Sequence, residues 1–143
     1  MITAAEYGYT ETDPGSQLSI RKPLLPFELI LGDSSISVVG LLDSGSTVNV
    51  LPYRIGIQLG ANWSAQRISI PLAGNLAAVE ARAIALQAKV GNFPPVKLAF
   101  AWAQTDAAPL LLGQINFFHY FDVCFIGADS KFQVRPHVHG LPL

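Results

Sequence analysis

Cysteine occurs once in the 143 residues, as Cys124, so an internal disulfide is excluded. Its neighbours are Val123 and Phe125, and the expectation is a buried thiol that packs as a small apolar group. One cysteine and three histidines cannot make a zinc cluster. His137-Val138-His139 could set two imidazoles on one strand face, but no acidic or cysteine partner adjoins them, so no metal and no cofactor is expected. Charge is also scarce. Only 13% of residues are charged, the formal net charge is −1 and no basic run occurs, which argues against nucleic acid or an anionic membrane as partner. Long hydrophobic runs are missing too. The most apolar stretch, residues 110–118, is broken by Gly113, Gln114 and Asn116 and is too short to span a bilayer. Residues 1–15 lack the basic and apolar regions of a signal peptide. The expectation from these absences is a soluble, cytoplasmic protein.

Half of the residues are hydrophobic, enough for one packed domain at this length. Residues 1–22 are polar, with Asp13-Pro14-Gly15-Ser16 as a turn signal, and read as a loosely held arm. Residues 23–136 carry the core, and 137–143 form a tail. Within the core, residues 27–31 and 36–42 read as strands of a hairpin around Gly32-Asp33-Ser34-Ser35, and 48–51 as a short strand closed by Pro52. Residues 53–59 read as a turn or two of helix, and 68–72 alternate before an Ala73-Gly74-Asn75 turn. Residues 77–90 are ambiguous. Their alanine content favours helix, but the alternation also fits a strand, and the flanking turns at Gly74-Asn75 and Gly91-Asn92 favour the strand. Residues 96–103 form another strand, with Leu98, Phe100 and Trp102 on one face. Residues 110–112 form a short buried one, and 114–121 a short helix. A last hairpin joins 123–126 to 132–135. Many short strands and one or two short helices indicate a mostly β barrel or sandwich. Trp63, Trp102, Phe117 and Phe118 are assigned to the core.

The residues that carry chemistry stand in the run Val38-Val39-Gly40-Leu41-Leu42-Asp43-Ser44-Gly45-Ser46-Thr47-Val48-Asn49-Val50-Leu51-Pro52. It places a carboxylate at the end of an apolar strand, in a turn of small residues, with a second apolar strand behind it. A carboxylate withdrawn from water is costly unless hydrogen bonds satisfy it. The bland reading of Asp43 is a structural turn residue, and that of Gly113 a helix-entry glycine.

Leu41-Leu42-Asp43-Ser44-Gly45-Ser46 resembles the Asp-(Ser/Thr)-Gly signature of aspartic proteases. Leu111-Leu112-Gly113-Gln114-Ile115-Asn116-Phe117-Phe118, continuing through Phe121-Asp122-Val123, is similar to the second hydrophobic-hydrophobic-Gly element and following helix of retropepsin-like domains, above all the single-domain bacterial type. The order and spacing of the two elements resemble that family over roughly residues 25–135. The resemblance implies a closed acid-protease β-barrel and a homodimer in which each copy supplies one Asp. It also implies a peptide-bond hydrolase acting on extended peptide or protein substrates. Of the six aspartates, only Asp43 lies between apolar strands in a Ser/Gly turn, and the chain is too short for a two-lobed form, so a second copy is the simplest source of the partner carboxylate.

The same resemblance assigns roles. Asp43 is the catalytic carboxylate, with Ser44 as a cross-dimer contact and Gly45 allowing close backbone approach. Ser46, Thr47 and Gly113 are supporting residues. Ser46 is expected to donate to the Asp43 carboxylate, lowering its pKa, giving an acidic optimum and making Ser46→Ala shift that optimum upward. Leu72, Ala73, Gly74, Asn75 and Leu76 are expected at the tip of a substrate-binding flap. In many viral members an Arg follows the second-motif Gly and an acidic residue stands four positions after the catalytic Asp; here those positions hold Gln114 and Thr47. Two other readings stay open: a catalytically silent peptide-binding or dimerisation module of the same fold, and a protease whose 1–22 arm blocks the cleft.

Overall fold

The computed structural model describes residues 3–12, 15, 17 and 20–138. In chain order the strands are β1 (Ala5–Gly8), β2 (Thr10–Glu11), β3 (Arg21–Lys22), β4 (Leu24–Leu31), β5 (Ser34–Leu42) and β6 (Asn49–Leu51). Helix α1 (Tyr53–Gln58) follows, then β7 (Ala81–Lys89), β8 (Val96–Ala103), β9 (Leu111–Leu112), helix α2 (Phe117–Tyr120), β10 (Phe121–Ile126) and β11 (Lys131–Pro136). Six strands close a barrel in the order β4-β5-β9-β6-β8-β7, and β1, β11 and β10 form a separate three-stranded sheet. The mostly β expectation with two short helices holds.

Alternation builds the barrel. Leu25, Phe27 and Leu29 of β4 point inward, as do Ile84, Leu86 and Ala88 of β7 and Leu98, Phe100 and Trp102 of β8. The β4–β5 hairpin turns over Gly32 and Asp33 alone, with Leu31 opposite Ser34. Helix α1 starts behind Pro52, whose φ of −61° suits a helix entry. It packs Gly56 directly on the Trp102 indole, where no Cβ would fit. The Trp102 Nε1–H donates to the Tyr53 carbonyl at 3.1 Å, and Tyr53, Trp63 and Trp102 form one aromatic stack with Trp63 half-buried at its edge. Phe117 is fully buried, whereas Phe118 is only partly so.

Several expectations are corrected. The amino-terminal segment is not a loose arm throughout: β1 is a strand of the three-stranded sheet, with Ala5 opposite Val134 and Gly8 opposite Lys131. Tyr7 stacks on Phe132 at 5.3 Å, and that burial pushes its phenol above the ordinary range. β2 pairs with β3. The strand expected over 68–72 reduces to a single bridge, Ser69 to Arg82, and the long strand starts at Ala81 rather than Ala77. Cys124 is exposed, not buried. It lies opposite Gln133, while the neighbouring Phe132 and Val134 point to the core face. His137 does have an acidic partner: its Nδ1 lies 2.9 Å from Asp122 Oδ1. No cluster of three or more metal-ligating side chains occurs among the described residues, and His139 lies outside them. No helix among the described residues is long and apolar enough to cross a membrane.

Candidate active site

The apolar end of β5 delivers Asp43 into a loop that returns as β6, and β9 runs between the two. β9 pairs parallel to β5, Leu41 with Leu111 and Leu42 with Leu112, and antiparallel to β6 at Val50. Backbone bonds then lace the loop to the segment after β9. The Asp43 N–H donates to the Leu112 carbonyl at 3.0 Å, Gln114 N–H to Ser46 at 2.9 Å and Ile115 N–H to Thr47 at 2.8 Å. Gly113 sits in the crossing. A Cβ there would lie 2.5 Å from the Val48 carbonyl oxygen and 2.7 Å from that of Ser46, so only glycine lets the two segments meet.

Beneath the crossing lies a buried polar network. Asn49 is fully buried, and its Oδ1 accepts the Gly113 N–H at 2.8 Å. Its Nδ2 donates to the Ala99 carbonyl at 2.9 Å and to Asn116 Oδ1 at 3.2 Å, and Asn116 Oδ1 also accepts the Ala99 N–H at 3.0 Å. A buried amide satisfied on both ends fixes its neighbours in one arrangement. Asn49 and Asn116 escaped the sequence reading. The available signal was a lone amide inside the otherwise apolar Val48-Asn49-Val50-Leu51 strand.

At the loop tip, Asp43 is half-buried and Ser44 and Gly45 are exposed. The Gly45 N–H donates to Asp43 Oδ1 at 3.0 Å, and a Cβ on Gly45 would crowd that oxygen at 3.3 Å. Ser46 departs from its expected role. Its hydroxyl donates to the Val48 carbonyl at 2.7 Å instead of to the Asp43 carboxylate. With its hydroxyl on Val48, Ser46 is not placed to set an acidic optimum through the Asp43 carboxylate. Thr47 is exposed and serves through its backbone carbonyl. Gln114 makes a local tie: its Nε2 donates to the Ser44 carbonyl at 2.8 Å, bracing the loop tip.

The expected flap residues lie in the connection between the paired segments 68–70 and 81–83. Ile70 N–H donates to Ala81 and Ala83 N–H to Ile68. Gly74–Leu76 form a single 3₁₀ turn instead of a hairpin tip, with Gly74 at φ +63°. Leu72 and Leu76, with Val79, pack onto an apolar patch of Val50, Ala103 and Ala108 bordered by Val48 and Leu111, the strands that flank the Asp43 loop. Ala73, Gly74 and Asn75 are exposed. Arg82 anchors the base: its guanidinium sits 4.5 Å over the Trp63 ring and donates to the carbonyls of Trp63 and Gln66.

A closed barrel in which an Asp-Ser-Gly loop is threaded by a Leu-Leu-Gly strand is the retropepsin-like aspartic-protease fold. Among solved structures, the chain is similar to the crystal structure of a retropepsin-like aspartic protease from Rickettsia conorii, with a TM-score of 0.59 at 13% sequence identity, covering 94% of this chain and 92% of that one. No family model matches the chain, and no curated protein matches it in sequence.

Proposed function

We propose that the chain is an aspartic endopeptidase that works as a homodimer, with one Asp43 carboxylate from each copy at a shared site. The observation that carries this reading is the Asp43 loop itself: a half-buried carboxylate at an exposed tip, held by Gly45, Gln114, Gly113 and the Asn49 network. Two carboxylates about 3 Å apart cannot both ionise and share one proton. One takes a proton from a bound water as it attacks the peptide carbonyl, and the other protonates that carbonyl oxygen. The pair titrates as a unit.

The need for a second copy rests on where the other aspartates lie. Asp33 is in the β4–β5 turn and Asp129 in the β10–β11 turn. Asp106 accepts the Arg54 N–H, and Asp122 meets Arg135 and His137. Asp13 lies outside the described residues. The outer edges of β1 and β10 carry no further strand among the described residues, so the three-stranded sheet has edges on which a copy could pair. The apolar patch under Leu72 and Leu76 favours extended substrates with bulky apolar side chains.

The test is cleavage of a peptide library from acidic to neutral pH at several protein concentrations, with Asp43→Ala and pepstatin as controls. The expected result is cleavage that rises with dimer concentration and disappears in Asp43→Ala. Folded, dimeric protein with no Asp43-dependent cleavage at any pH would favour a silent peptide-binding module.

A further inference from the structure

Strand β5 is covered on both sides only at its Asp43 end. The alternation of its backbone is set by two bonds: Leu42 N–H donates to Pro23, toward β4, and Leu41 N–H donates to Leu110, toward β9. Counting back, the N–H and C=O groups of Ser35, Ser37 and Val39 face the β9 side. β9 is only two residues long and pairs with Leu41 and Leu42. No hydrogen bond joins the backbone of Ser35, Ser37 or Val39 to another described residue on that side.

The open edge also lacks the usual protection. Ser35-Ile36-Ser37-Val38-Val39-Gly40 contains no charge and no proline, and Val39 is 55% exposed. It forms one wall of a groove of about 350 Å³, with Pro52, Arg54 and Gln58 and the Pro109-Leu110 segment opposite. Arg54 is the one charged residue in that lining. Its backbone N–H donates to Asp106, and its guanidinium has no ion pair or hydrogen bond among the described residues.

The geometry points to a second peptide site, away from Asp43: an extended segment of a protein partner adds as a strand to the β5 edge at Ser35, Ser37 and Val39, with an acidic side chain of that segment against Arg54. Main-chain bonds to the three residues supply affinity, and the lone cation selects for acid. This inference does not depend on whether Asp43 is catalytic.

The experiment uses the full chain carrying Asp43→Asn, so that no probe is cleaved. The probes are an acetylated pentapeptide of alternating threonine and valine ending in glutamate, and the same peptide ending in lysine. Amide hydrogen exchange is followed by NMR. The account expects exchange at Ser35, Ser37 and Val39 to slow at least tenfold with millimolar glutamate peptide and less with the lysine peptide. Val39→Pro removes an edge donor opposite Pro26 without removing a β4 bond, and abolishes the protection. Arg54→Glu, on the helix and independent of strand geometry, reverses the preference between the two peptides. No slowing at these three amides, slowing confined to the Asp43 loop or β10, or a preference untouched by Arg54→Glu would overturn it. So would concentration-dependent protection without peptide, which would mean that a second copy covers the edge.

Discussion

The 71–80 connection packs on the apolar patch that Val48, at the end of the Asp43 loop, borders, yet the two segments are held by different means. The loop is tied by residues distant in sequence: Leu112, Gln114 and Ile115 bond to it, and the buried Asn49 amide locks the crossing from below by accepting the Gly113 N–H. Between its paired ends the connection makes local bonds, Leu76 to Ala73, Ala77 to Gly74 and Val79 to Leu76, has one distant tie at its last residue, where the Glu80 carbonyl accepts the Gln104 N–H at 2.8 Å, and otherwise rests on three apolar side chains. Long-range hydrogen bonds in a buried setting fix one geometry, whereas a turn with few buried contacts opens at low cost. The contrast suits the proposed site, in which Asp43 would be held in place and the 71–80 connection would open over it.

The contrast can be broken most severely at Gly113. Gly113→Ala drives a methyl into the Val48 and Ser46 carbonyls, and the expected loss is about 3 kcal/mol, read from urea unfolding. Asn49→Ala leaves the buried Gly113 N–H without its acceptor and should cost about 2 kcal/mol in the same measurement. Gly74→Ala sharpens the comparison from the other side. Nothing lies within 4 Å of the added methyl, so the cost is only that of a positive φ, about 1 kcal/mol. The smallest effect is expected for Ser46→Ala on the pH–rate profile of cleavage. With its hydroxyl on the Val48 carbonyl, its removal should leave the optimum where it was, and a shifted optimum would restore the direct role first expected of it.

Much of this arrangement was legible in the chain. The Gly32-Asp33 hairpin and the strand character of β7 follow from local turn chemistry and short-range alternation, the Asp-Ser-Gly and Leu-Leu-Gly elements were readable as a family resemblance, and all of them recur in the structure. What was missed depends on partners far away in sequence. β1 exists because β11 offers it an edge, which four residues with little apolar content do not announce. Cys124 points outward because its pairing with Gln133 sets the parity of β10, and flanking apolar residues say nothing of parity. Within the site, the Asp43 position was readable, but the direction of the Ser46 hydroxyl and the use of Asn49 are properties of the closed loop. Nor could the sequence show that the Gln114 side chain ties back to the Ser44 carbonyl.

The proposed shared site is tested most directly by mixing. Wild-type chain is equilibrated with increasing fractions of Asp43→Asn at constant total concentration, and peptide cleavage is followed. If each active unit needs an Asp43 from both copies, activity falls as the square of the wild-type fraction, because mixed dimers are dead. A linear fall would mean that one chain carries a complete site, and would contradict the account.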